Sequence, residues 1–173
     1  MNDQGIVTEA GAVRFQRLLD APPERVWDYL TRSELRRAWF AGGDMDLRPG
    51  GDLTFLFRNS ELSHHGEETP EKFRQYEGME THGKVLEVDP PRRLVHLWGE
   101  EEVAWELEPR GDRTLLTLTH SRLRDRAMRV NVSSGWHIHL DILEDLLAGR
   151  TPRPFWSNQA RYEEQYEAKV PAG

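Results

Sequence analysis

Apolar and polar positions alternate along residues 13–19, with Val13, Phe15 and Leu19 on one side, which is the pattern of a half-buried strand. Ala21-Pro22-Pro23 ends it. Val26, Trp27 and Leu30 then recur at helical spacing behind a proline suited to a first turn, so Pro23–Thr31 is predicted as a helix. Ser33 is placed to cap a second short helix over 34–40, which Gly42-Gly43 breaks. Strand patterns dominate from there. Leu53, Phe55 and Phe57 share a face after the Pro49-Gly50-Gly51 turn; residues 83–88 end at Pro90-Pro91; residues 94–98 follow. Val103, Trp105 and Leu107 alternate with Ala104, Glu106 and Glu108. Arg110-Gly111-Asp112 then turns the chain into residues 114–120, where Leu116, Leu118 and His120 share a side.

The last strong pattern is helical. At about 100° per residue, Trp136, Leu140, Leu143, Leu146 and Leu147 fall on one face with His139 among them. His137, Asp141, Glu144, Asp145 and Ala148 take the other side. With Ser133 or Ser134 as N-cap and Gly149 as the left-handed stop, a helix over 134–148 is predicted. A strand, two short helices, an antiparallel meander and one long helix make an α+β layout in which a curved sheet packs against a single helix. Residues 59–77, polar and carrying Gly66 and Pro70, are longer than an ordinary loop and predict a lid or a disordered connection. Thr151-Pro152-Arg153-Pro154 reads as a stiff linker, Phe155 and Trp156 as anchors for the tail, and residues 158–168 as a charged helix.

The run Ala21-Pro22-Pro23-Glu24-Arg25-Val26-Trp27-Asp28-Tyr29-Leu30-Thr31 is followed by Trp39-Phe40, the Pro49-Gly50-Gly51 turn, and Val88-Asp89-Pro90-Pro91-Arg92-Arg93-Leu94. Trp98, Gly135-Trp136 and Leu147-Ala148-Gly149 complete the series. In this order and spacing, over roughly residues 12–149, the chain resembles the START-like (SRPBCC) superfamily, and within it bacterial homologues of the heat-shock protein 90 ATPase activator. The resemblance implies a helix-grip fold: a curved antiparallel sheet of six or seven strands wrapped around the long C-terminal helix, with two short helices after the first strand and a cavity between sheet and helix. It divides the chain into a flexible N-terminus (1–11), the helix-grip domain (12–149) and a C-terminal tail (150–173) whose short helix packs on the body. Members of the superfamily bind lipids, sterols, polyketides or other apolar molecules in that cavity, and a minority catalyse cyclisation or hydrolysis. The activator name belongs to eukaryotic proteins with an additional domain, so a chaperone-associated or stress-response role is the weaker expectation.

Composition narrows the partners. With 23 basic and 30 acidic residues and a formal charge of −7, the chain lacks the concentrated basic surface that nucleic acid requires. The absence of cysteine excludes disulfides, thiolate metal sites and thiol nucleophiles. The first dozen residues have neither a basic start nor an apolar core, and no run approaches a membrane span, so a soluble, cytoplasmic protein is expected. No phosphate-binding glycine loop or dinucleotide fingerprint is present, so no cofactor is expected.

The expected ligand contacts follow from the helix and strand faces. His139 and His120 would orient one polar group of a small, largely apolar molecule, while Trp136, Leu143, Phe55, Phe57 and Trp105 supply the walls. His139 offers a general base, but no nucleophile or carboxylate partner accompanies it, so no catalytic residue is assigned and a cyclase or hydrolase is the competing reading. His137 with Asp141, four residues apart on the polar side, reads as a surface pair, and His64-His65-Gly66-Glu67-Glu68 as a polar loop without metal-ligand spacing, so no metal is expected. Glu100-Glu101-Glu102 reads as a solvated hairpin turn. A second copy of the chain, forming a homodimer, is the protein partner kept open.

Overall fold

The computed structural model describes residues 3–172. Seven strands, β1 (Ile6–Val7), β2 (Val13–Leu19), β3 (Asp52–Leu56), β4 (Glu80–Asp89), β5 (Arg93–Trp98), β6 (Glu101–Arg110) and β7 (Arg113–Ser121), form one curved sheet. Their spatial order is β1-β2-β7-β6-β5-β4-β3, with every neighbouring pair antiparallel. Two short helices, α1 (Pro23–Thr31) and α2 (Ser33–Arg36), carry the chain from β2 across to the far edge at β3. The remaining helices among the described residues are a 3-10 turn over Asn59–Leu62, α3 (Glu71–Arg74), α4 (Arg126–Leu147) and α5 (Phe155–Lys169). This is the helix-grip α+β architecture expected above. The N-terminal stretch expected to be flexible contributes β1, which pairs Ile6 with Arg14 and Val7 with Val13.

Alternation along the strands builds the concave face. In β2 every second residue is buried, and the partners Phe15, Leu118 and Trp105 line up across β2, β7 and β6. Arg17 sits on that same buried face, a charge where the period-2 pattern demands an apolar residue. Gly83 in β4 is required by close approach, since a Cβ there would meet the carbonyl oxygen of Leu97 at 1.9 Å.

Three local expectations are corrected. The second helix stops at Arg36 rather than 40, because the buried Arg36 guanidinium donates to the carbonyls of Ala41 (2.9 Å), Leu30 (3.2 Å) and Gly43, and so wraps residues 37–43 around itself. Ser33 is inside that helix, and its hydroxyl accepts from the Gly43 N–H at 3.0 Å. The long helix begins eight residues before the predicted 134, at Arg126, because Asp125 accepts from the Met128 N–H at 2.9 Å and supplies the cap assigned to Ser133 or Ser134. Both serines are buried in mid-helix, where Ser134 donates back to Val130 O at 3.0 Å. Its stop is as predicted: Gly149 has φ +71°, with Gly149 N–H to Leu146 O at 3.1 Å and Arg150 N–H to Asp145 O at 2.8 Å closing the last turn.

A larger correction concerns the polar side of α4. His137 and Asp141 are not on the surface, because α5 lies over them. The His137 ring stacks on Tyr162 at 3.7 Å and bonds the Tyr166 hydroxyl at 2.8 Å. Asp141 accepts from Arg17 (2.8 Å) and from the Tyr162 hydroxyl. The central turns of α4 are therefore enclosed by sheet on one side and by the tail helix on the other, the condition for a helix buried all round. Among the described residues no helix is long and apolar enough to cross a membrane.

Candidate functional site

Beyond its central turns α4 does not fill the concavity. A cleft of about 310 Å³ lies against its N-terminal half, which presents Met128, Asn131, Val132, Gly135, Trp136 and His139, a stripe at steps of three and four residues. Gly135 is part of the reason the space exists, since a Cβ there would meet nothing within 4 Å. Phe40, Phe57 and Trp98 form the sheet-side wall, with Phe40 on Trp136 at 4.8 Å and Phe57 stacked on Trp98 at 5.5 Å. Phe73 from the 59–77 segment and Phe155 and Trp156 from the tail close the opposite side, with Phe73 stacked on Trp156 at 5.2 Å.

Hydrogen bonds fix the polar groups in this aromatic wall. The Trp136 indole N–H donates to His120 Nδ1 at 2.9 Å, so the ring's proton is on Nε2, which donates to the Glu101 carboxylate at 2.5 Å. His139 donates from Nδ1 to the Trp39 carbonyl at 2.8 Å, which leaves Nε2 as an acceptor with no protein partner among the described residues. Burial, only partly opposed by the Trp39 carbonyl, pushes the His139 pKa down to about 4, so the ring is neutral at pH 7. Two further buried atoms in the lining have no partner: Trp156 Nε1 and Asn59 Oδ1. An unmet donor or acceptor in a dry wall is costly unless something else satisfies it.

Four of the seven expected contacts line this cleft: His139, His120, Trp136 and Phe57. The other three do not. Phe55 packs under the Arg36 guanidinium at 5.3 Å, Trp105 lies against Trp136 at 5.2 Å with its N–H on His96 Nε2 at 3.1 Å, and Leu143 is wholly buried. They share the concave face but sit where α4 packs directly on the sheet. His120 and His139 both line the cleft, each tied to a different partner.

The acidic turn was misjudged. Glu101 begins β6 and faces the cleft, with its side chain 23% exposed, rather than being wholly solvated. Glu67 of the 64–68 tract caps the tail helix, accepting from the N–H groups of Trp156 and Ser157 at 3.0 Å each. Among the described residues no cluster of three His, Cys, Asp or Glu is placed to hold a metal. Sequence reasoning also missed Gly135, for which a signal existed, because a glycine inside a helix costs stability and usually has a packing reason. Phe73, Asn59 and Asn131 carried no such signal.

Residues 20–148 match the protein family described as Activator of Hsp90 ATPase homolog 1-like protein. No curated protein matches the chain. Among solved structures, the protein encoded by gene BPP1335 of Bordetella parapertussis is 37% identical, with a TM-score of 0.83 over 98% of this chain and 91% of that one. CalU16 from Micromonospora echinospora is 25% identical, with a TM-score of 0.67 over 98% and 96% of the two chains. The Aha1 dimer from Colwellia psychrerythraea shares the fold at 19% identity, with a TM-score of 0.59 over 79% of this chain and 95% of that one. The chain belongs to the family of Activator of Hsp90 ATPase homolog 1-like proteins.

Proposed function

We propose that this protein binds a small, largely apolar molecule in the cleft between the sheet and the N-terminal half of α4. The observation that carries the reading is a wall of aromatic rings interrupted by buried polar atoms that lack protein partners, Trp156 Nε1 and Asn59 Oδ1. Rings supply burial, and the unmet atoms orient a ligand. A catalytic reading has less support, since a histidine with a pKa near 4 is a weak base and His120 has both ring nitrogens engaged. We place its action in the cytoplasm.

Gly135 supplies the test. Gly135→Ala should raise stability by about 0.5–1 kcal/mol, because it removes a mid-helix glycine without a clash. Gly135→Phe should fold and fill the cleft. Small-molecule binding, read by perturbation of the Trp136 and Trp156 indole resonances, should survive in the alanine variant and vanish in the phenylalanine one. Equal binding by wild type and Gly135→Phe would place the ligand elsewhere.

Residues 59–77 act as the cover in this reading. The segment is held by two exposed pairs of the kind worth little individually, Glu61 to Arg37 at 3.0 Å and Lys72 to Glu163 at 2.8 Å, and at its middle by Glu67 on the Trp156 and Ser157 N–H groups and by His65 donating to the Pro152 carbonyl at 2.9 Å. Amide exchange in 59–77 should be faster than in β5–β7 and should slow at least severalfold when the cleft is occupied. Exchange as slow as that of the central strands, unchanged by ligand, would rule out a cover.

A further inference from the structure

We infer that the cleft selects an organic cation: an ammonium group on an apolar, ring-sized body. This rests on the proposed binding reading and adds the charge of the ligand to it.

The argument begins with Glu101. Among the residues lining the cleft there is no lysine or arginine, and Glu101 is the one carboxylate. Its partner is His120 Nε2, and that imidazole is neutral, because its Nδ1 lone pair is occupied by the Trp136 N–H. A neutral donor orients the carboxylate but leaves its charge uncancelled. Cations near the cleft are committed elsewhere: Arg122 to Glu102 at 2.8 Å and Lys72 to Glu163 at 2.8 Å. A partly buried carboxylate without a cation is the feature a bound ammonium would complete.

Two other observations point the same way. His139 is 6% exposed, and its free Nε2 can only accept a hydrogen bond, as can Asn59 Oδ1. Together with the second oxygen of Glu101 these are three acceptors facing the cleft, while the donors there, the Trp156 N–H and the amides of Asn59 and Asn131, are neutral. An ammonium is a donor-only group, and a single hydroxyl or carbonyl elsewhere on the ligand would satisfy Trp156. The walls suit the same charge, because they are built largely of aromatic rings, whose faces carry the negative side of the ring quadrupole. A carboxylate or phosphate ligand would meet the Glu101 carboxylate with no lysine or arginine in the lining to offset it, so anions are disfavoured.

Three probes of one shape test this: 1-naphthylmethylammonium, 1-naphthylmethanol and 1-naphthoate, titrated against the full chain and read by the indole resonances of Trp136 and Trp156. The cation should bind about tenfold more tightly than the alcohol, with the carboxylate weakest. Glu101→Gln keeps an oxygen to accept from His120 Nε2 but removes the charge, and should reduce the cation-over-alcohol preference to about twofold or less. Equal affinity for cation and alcohol in the wild type would overturn the inference and leave apolar binding standing. A preference unchanged in Glu101→Gln would overturn the role given to Glu101. No cleft binding by any of the three would overturn both the inference and the function it rests on. The wild-type comparison needs no variant to fold.

Discussion

Between about pH 6.5 and pH 4 the protein should lose most of its stability, because three buried histidines refuse the protons that the unfolded chain takes up. His96, His137 and His139 are each pushed down from 6.5 to about 4, in every case chiefly by burial. His96 has Nε2 occupied by the Trp105 N–H at 3.1 Å, so a second ring proton would break that bond. It also lies near Arg36, whose charge would oppose it. His137 gains from Asp141, but Arg17, Arg153 and Arg161 work against its protonation. His139 meets only the Trp39 carbonyl as compensation.

The sign follows from the direction of these shifts. Above the unfolded pKa neither state binds a proton at these rings, and the stability they permit is fully present. As pH falls below it, the unfolded chain binds up to three more protons than the native one, so stability declines until the folded pKa is reached. Each site contributes roughly 3 kcal/mol when the span is complete, and three together rival the ~5–15 kcal/mol of a whole domain. Urea unfolding between about pH 7.5 and pH 4.5 measures the loss as a slope of up to roughly three protons. His139→Gln should flatten it by about one proton. A stability constant across that range would show that the rings titrate normally and are not dry. Glu67 and Asp145, whose pKa values lie below the usual carboxylate range despite burial, lose their contributions only at still lower pH.

The histidines also show what could be read from the sequence. The strand alternation from Val13 to His120 and the apolar stripe from Trp136 to Leu147 depend on period alone, and both were legible because one face of each element meets the core. The first helix ran from Pro23 to Thr31 as predicted, since proline marks its start and apolar spacing its face. Asp125 as a cap was hidden by the Ser133-Ser134-Gly135 run, which itself looks like a helix start. The wrongly solvated Asp141 has a different origin. A polar face on one helix says nothing about a second helix that supplies matching polar groups, and Tyr162, Tyr166 and Arg153 do so from the tail. At the cleft, His120, His139, Trp136 and Phe57 were visible as side chains on the right faces. Phe73 lies in the one-turn α3, Trp156 at the start of α5 and Glu101 at the start of β6, where too little of a period runs on both sides to constrain direction.

Replacing Asp141 with alanine should destabilise the protein by about 3–5 kcal/mol, because it strips the counter-charge from a buried cation. Arg17 is 1% exposed and donates to Asp141 at 2.8 Å; its other partners are the Asp3 carbonyl and Glu144, whose side chain is 31% exposed. The same carboxylate binds the Tyr162 hydroxyl and lies 3.3 Å from Arg153 Nη1, so it ties β2, α4, the linker and α5 together. Its loss leaves a buried guanidinium underpaired and a phenol without an acceptor, which costs more than the bonds contributed. For a chain of this size the melting temperature should fall by roughly 6–20 °C. Amide exchange in α5 should rise more than in β5 and β6, as the tail loses its main polar attachment. Asp141→Asn, which keeps an oxygen for Tyr162 but not the charge, should fall between. Arg17→Met combined with Asp141→Ala should cost clearly less than the two single changes added, since the second removes a charge that the first left stranded. A single Asp141→Ala within about 0.5 kcal/mol of wild type would mean that Arg17 is adequately held by Glu144 and the Asp3 carbonyl, and that apolar contacts alone fasten the tail.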